Sequence, residues 1–331
     1  MKTQYLFRLA AGPRIGFGHL MRCRALARAL GVRPIVSIRG GSVARRQAEA
    51  LGCIVTNDGP LVLRDGHVLI VDDPSPAHAR GWLLRAAREG VATATIHDRG
   101  IGSRAADLIV DGSITRTPVG LARALCGTRF TVLDRRVLAA RAARRRRGSH
   151  RVPRRVLIAL GGGSHVLAAA RSLVDAIVRR CSTATIDVAT GLCGNTARPS
   201  LGVARWIERP DGLAADFAAC DVAVVGGGVT LYEACAIGVP VVALAVVAGQ
   251  RPAVAGFAAR GAAIDAGSLA AGKRAIATAA AAVAQLLADS HGRRRRESAA
   301  RNIVDGQGAR RVASRIRTLA RRGASGGRPR V

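Results

Sequence analysis

The sequence predicts an α/β protein built from two doubly wound, Rossmann-type domains. The chain has 331 residues, enough for two domains at roughly 100 to 200 residues each. Short apolar runs alternate with helical patterns over most of its length, as layers of parallel α/β structure require. Three glycine-rich turns, at 16–18, 161–163 and 226–228, each join a predicted strand to a predicted helix.

In the first half the apolar runs place strands at 5–9, 34–38, 68–71, 91–96 and 108–110, with helices filling the gaps. The first helix is the clearest, because Leu20, Cys23, Leu26, Ala27 and Leu30 recur at helical spacing and Gly31 supplies the stop. The pattern lapses at the charged segment 144–150, read as a linker, so the expected domains are 1–148 and 149–322. The second half repeats the scheme, with strands at 156–160, 184–189, 222–225 and 241–244 and helices at 166–179, 213–219 and 230–237. An Ala-rich helix from 273 to 288 and a last helix within 309–322 follow, and the basic tail 323–331 is expected to be disordered.

Hydrophobic residues make up 49% of the chain and aromatic ones only 3%, so Ala, Val, Leu and Ile must fill the core. The formal net charge is +31, and all basic residues except Lys2 and Lys273 are arginine. Such a field attracts phosphate groups, yet most arginines are expected to be solvated. The arginine runs at 144 and 293 lack interleaved aromatics, which argues against dedicated nucleic-acid binding. The seven cysteines form no Cys-x-x-Cys pair and sit mostly in apolar runs, reading as buried thiols of a reducing compartment. No metal site or membrane span is expected, and the N-terminus lacks a signal-peptide core, so the protein is expected to be cytoplasmic.

The glycine turns carry the chemistry. At a strand-to-helix junction, backbone N–H groups and the helix dipole together favour an anion, at the strand ends where open α/β sheets bind ligands. None of the three is a Walker A loop, and Gly16-x-Gly18 lacks the third glycine of a dinucleotide motif, since position 21 is Met. Two turns in one domain and one in the other suggest a diphosphate held in a shared cleft. Glu233, five residues beyond Gly228, is placed to reach a ribose, and Gln250 either meets sugar hydroxyls or caps a helix. His19 stands at the start of the first helix, where an imidazole can act as a base.

The stretch from Gly226-Gly227-Gly228 through Thr230 and Glu233 to Gly238-Val239-Pro240, followed by Gln250, resembles the nucleotide-sugar signature of GT-B glycosyltransferases that add N-acetylglucosamine in peptidoglycan synthesis. Together with Arg14-Ile15-Gly16-Phe17-Gly18-His19-Leu20-Met21-Arg22, Leu160-Gly161-Gly162-Gly163 and the segment 304–311, the chain is similar to the PseG/SpsG family. That family comprises UDP-sugar hydrolases of pseudaminic acid synthesis and related spore-coat polysaccharide proteins.

The resemblance implies a GT-B-like fold with two domains facing an interdomain cleft, and metal-independent release of UDP from a deoxy amino sugar with inversion at the anomeric carbon. It makes His19 catalytic and puts Arg14, Gly16, Gly18, Gly162, Gly163, Ile207, Gly227, Gly228, Thr230, Glu233 and Gln250 against substrate, with no cofactor and a UDP-sugar as partner. Alternatives on the same scaffold are an inverting glycosyltransferase, in which an acceptor hydroxyl replaces water, and a non-catalytic nucleotide-sugar binder. The chain departs from the family at Ala10, at Asp72-Asp73-Pro74 where Asp-His-Tyr is usual, and at Gly249. Each departure is read as a lost polar contact to the sugar.

Overall fold

The computed structural model describes residues 3–56, 61–97, 106–115, 123–147, 152–161, 166–191 and 200–324. The described residues fall into two compact units, Met1–Asp134 with Gln307–Val331, and Arg135–Gly306.

The first unit runs β1 (Gln4–Ala10), α1 (Gly18–Leu30), β2 (Ile35–Arg39), α2 (Ser42–Ala50), β3 (Ile54–Val55), β4 (His67–Asp72), α3 (Pro76–Arg88), β5 (Ala92–His97), β6 (Leu108–Asp111) and β7 (Ala124–Cys126). Its seven strands lie in the order β3-β2-β1-β4-β5-β6-β7, with every pairing parallel. Strand order therefore reverses between β1 and β4, the switch point at which such sheets open a crevice. On one face Leu6, Leu69, Val71 and Ile109 pack with Leu83 and Ala86 of α3. By strand alternation Phe7 and Leu9, both wholly buried, point to the opposite face.

The second unit runs α4 (Arg136–Arg146), β8 (Arg155–Ala159), α5 (Leu167–Val178), β9 (Thr185–Ala189), β10 (Arg205–Ile207), α6 (Ala214–Ala219), β11 (Val222–Gly226), α7 (Val229–Ile237), β12 (Val241–Ala245), α8 (Arg251–Ala259), β13 (Ala263–Ser268), α9 (Lys273–Ala288) and α10 (Ser290–Ile303). Its six parallel strands follow the order β10-β9-β8-β11-β12-β13, again with one reversal, between β8 and β11. Val156, Ile158, Val224 and Val242 meet Leu173 and Ile177 of α5 and Val283 and Leu286 of α9 in one apolar layer. Each such buried aliphatic side chain contributes about 1.5–3 kcal/mol. The last helix, α11 (Gly308–Ala324), packs on α1 of the first unit, burying Val312, Ala313 and Ile316.

Two expectations change. The segment read as a linker from 144 is helical as far as Arg146, and α4 packs against α6 and α7 of the second unit. Arg144 is only 9% exposed, and its guanidinium caps helix ends, donating to Cys220 O at 2.6 Å, Gly238 O at 2.8 Å and Glu297 at 2.8 Å. Carbonyls at helix C-termini lack intrahelical donors and carry partial negative charge, so a buried arginine satisfies several at once. Charge alone read this run as solvated. The short strands β3, β7, β10 and β13 were also not anticipated, because two- to six-residue stretches of mixed polarity carry no clear alternation. Of the tail expected to be disordered from 323, residues 323 and 324 belong to α11 and the rest lies outside the described residues.

Candidate active site

At the switch point of the first sheet, the loop after β1 closes on itself. Gly12 and Gly16 bond reciprocally, Gly16 N–H to Gly12 O at 2.7 Å and Gly12 N–H to Gly16 O at 3.1 Å. Gly16 takes φ +89°, which only glycine adopts readily. Its N–H is thus engaged within the loop, and Arg14 at the loop tip is exposed. Gly18 opens α1, and the N-cap residue before it, Phe17, makes no side-chain bond to that end.

One turn of that helix presents His19, Arg22 and Cys23, at spacings of three and four, to a single carboxylate. The carboxylate is Asp72 at the end of β4, 1% exposed. Its Oδ1 lies 2.7 Å from His19 Nδ1, while Arg22 forks it with Nε to Oδ2 at 2.7 Å and Nη2 to Oδ1 at 2.6 Å. The Cys23 thiol points at Oδ2 from 3.9 Å. Burial pushes the Asp72 carboxyl upward, but the charges of Arg22 and His19 and their hydrogen bonds outweigh it and hold the group well below the usual carboxylate range.

Nδ1 lies between Asp72 Oδ1 at 2.7 Å and Arg22 Nη2 at 2.8 Å. An anionic oxygen so close to a ring lone pair would be repelled, whereas Nη2 already has Oδ1 as its acceptor, so the proton is assigned to Nδ1, which donates it to Asp72. Nε2 is then the accepting nitrogen. The side chain of His19 is 13% exposed, so the ring is held from within yet reaches the surface. Asp73 serves the other side of the strand. It accepts a fork from Arg39 at 2.9 and 2.6 Å, and Ser75 N–H at 2.9 Å at the start of α3. Asp73, read from sequence as a departure that loses a sugar contact, therefore has structural partners, and Asp72, the position that keeps the family's aspartate, is the partner of the histidine. The signal available in the sequence was an acidic pair at the end of an apolar strand, opposite His-x-x-Arg-Cys on a helix.

The second unit carries its turn at its own switch point. A Cβ on Gly226 would run into the carbonyl oxygen of Leu160, and one on Gly227 would come within 2.7 Å of Val254 Cγ2. Glycine is therefore required here by packing, whatever the turn binds. Gln250 Oε1 accepts Gly227 N–H at 3.0 Å and Val246 N–H at 2.9 Å, tying the turn to the end of β12. Gln250 stands at the N-cap of α8 but makes no side-chain cap bond to it, so the clasp on the turn is a role that the sequence reading did not hold. Gly228, which has no side chain of its own to cap with, precedes α7 in extended backbone, and Thr230 and Glu233 follow on the helix, both partly exposed. Ile207 ends β10, and its carbonyl accepts Thr190 N–H at 3.1 Å. Gly162 and Gly163 lie outside the described residues.

The remaining nucleophile chemistry is muted. Burial pushes the thiols of Cys23, Cys220 and Cys235 up, Cys220 to about 12. Six cysteines are described, all as free thiols. Among the described residues no group of three or more His, Cys, Asp or Glu side chains is placed to hold a metal ion, and no helix is long and apolar enough to cross a membrane.

The fold defined by these two sheets is that of the GT-B glycosyltransferases. MurG of Acinetobacter baumannii superposes with a TM-score of 0.61 at 14% identity, covering 95% of this chain and 99% of that one. The glycosyltransferase SsfS6 of Streptomyces sp. SF2575, complexed with thymidine diphosphate, gives 0.59 at 16% identity over 95% and 99% of the chains. A putative UDP-N-acetylglucosamine 2-epimerase from Listeria monocytogenes gives 0.59 at 11% identity over 96% of each. No protein-family model matches the chain. No curated protein matches it either.

Proposed function

We propose that this protein is an inverting glycosyltransferase that uses a nucleoside-diphosphate sugar, with His19 as its general base. The observation that carries the reading is the His19–Asp72 contact at 2.7 Å, at the switch point of the first sheet. In the reaction an acceptor hydroxyl gives its proton to Nε2 while its oxygen attacks the anomeric carbon from the face opposite the diphosphate. The sugar–phosphate C–O bond breaks, its electron pair leaves with the diphosphate, and configuration inverts. Asp72 stabilises the imidazolium as it forms.

The second unit is assigned the nucleotide. The N-terminus of α7, whose cap residue is a glycine, offers Gly228 and Thr230 amides to the departing diphosphate, and Glu233 meets the ribose, as the sequence resemblance implies. Ile207 is assigned to the base. Arg14 and Gly18 are assigned to the sugar-phosphate side of the first unit. The nucleotide is UDP by resemblance, and the thymidine diphosphate bound to SsfS6 makes TDP the natural comparison. Six free thiols support a reducing, cytoplasmic setting.

Hydrolysis is the second reading, favoured by the similarity of residues 14–22 and 304–311 to the UDP-sugar hydrolases of the PseG/SpsG family. Water then takes the place of the acceptor hydroxyl at His19. The test is to incubate the full chain with UDP- and TDP-sugars, with and without an acceptor extract, and follow nucleotide release. Acceptor-dependent release that is lost in His19→Ala supports transfer, and acceptor-independent release lost in the same variant supports hydrolysis. Release unaffected by His19→Ala removes the histidine from both.

A further inference from the structure

Arg22 lies one turn beyond His19 on α1 and is 5% exposed. Besides its fork on Asp72, its Nη2 sits 2.8 Å from His19 Nδ1. Two opposite charges therefore bear on the imidazole at nearly equal distance. Around the ring, α1 contributes Arg22 and the Cys23 thiol, and β4 contributes Asp72. The inward residues of β1 on this face, Phe7 and Leu9, are apolar. From α11, Arg317 bonds Ala29 O at the far end of α1, and Arg311 bonds Arg129 O.

We infer that Arg22 is a positioning residue that keeps His19 a proton acceptor, by locking Asp72 onto Nδ1–H and by cancelling the field of the carboxylate at the ring. The inference rests on the reading of His19 as the base and names what tunes it. A buried carboxylate alone beside an imidazole favours the cation, which cannot accept a proton. With both carboxylate oxygens fixed by the guanidinium fork, Oδ1 can meet the ring only through Nδ1–H, and one tautomer is selected.

The test is an NMR titration of histidine-labelled full-length protein without substrate, with His19→Gln used to assign the ring. Arg22→Met is expected to raise the His19 midpoint by about one pH unit or more, since an opposite charge in contact acts on that scale. Asp72→Asn is expected to lower it, and the double variant to return it close to the starting value. Arg22→Lys keeps the charge but not the fork, so its midpoint stays near wild type while the share of Nδ1–H tautomer falls. An unchanged or lowered midpoint in a folded Arg22→Met protein overturns the inference. If Arg22→Met does not fold, Arg22→Lys decides, and a wild-type tautomer share there overturns it. Because no substrate is present, a protein that releases no nucleotide from any sugar donor but titrates as expected defeats the transferase reading alone.

Discussion

Gln250 acts as a clasp on Gly227, its Oε1 accepting the Gly227 and Val246 amides at 3.0 and 2.9 Å. Replacing it with Ala takes the acceptor from the Val246 N–H and leaves the Gly227 N–H on Leu244 O alone, and is expected to cost about 1–3 kcal/mol, read by urea unfolding. Gln250→Glu keeps an oxygen for both amides but sets a negative charge beside the turn. It is expected to stay within about 1 kcal/mol of wild type in stability while abolishing the thermal shift produced by UDP or TDP.

Asp72→Asn is expected to lower nucleotide release by about 10²-fold or more, because the amide no longer holds His19 in the accepting tautomer or stabilises its cation. Its pH signature follows from the depressed carboxyl. A group more acidic in the folded than in the unfolded chain adds stability above its unfolded value and loses it as pH falls toward the folded one. Wild-type stability should therefore fall steeply only below about pH 4, and Asp72→Asn should flatten that limb in acid-unfolding curves.

Thr95, in the middle of the first sheet, is wholly buried and its hydroxyl finds no hydrogen-bond partner among the described residues. Valine has the same shape without the stranded polar atom. Thr95→Val is expected to raise stability by about 1 kcal/mol, measured as a shift of the denaturation midpoint at constant slope.

Arg144→Met keeps most of the buried stem but leaves the carbonyls of Cys220 and Gly238 and the Glu297 carboxylate without the guanidinium. It is expected to destabilise by about 1–3 kcal/mol, because the Gly238 carbonyl loses its guanidinium donor, while Cys220 O keeps Arg147 and the partly exposed Glu297 keeps Arg301. Calorimetry of the single variant against Arg144→Met/Glu297→Gln should show the double variant recovering part of the loss.

The central strands were legible because Val, Ile and Leu fill them on both faces, as buried parallel strands demand. The helices around His19 and Glu233 were legible from their glycine stops at Gly31 and Gly238, both in left-handed backbone. His19 was legible as a candidate from its place after Gly16-x-Gly18. Asp72 was not, since it lies 53 positions away in sequence and only the reversal of strand order sets it beside the histidine. Gln250 was legible as a polar residue opening a helix, but its use as a clasp depended on the Gly227 amide, which no sequence pattern announces. Arg144 was missed for a different reason, since a run of arginines looks the same whether it faces water or a row of helix ends.

The return of α11 to the first unit makes residues 135–306 one continuous insertion within a discontinuous host. As the chain emerges from the ribosome, the inserted unit has all of its sequence available before the host does. The host must wait for Val312, Ala313 and Ile316 to cover α1, so it finishes after the unit inserted in it. Premature termination after about residue 306 would thus spare the later-encoded unit and leave the earlier one incomplete.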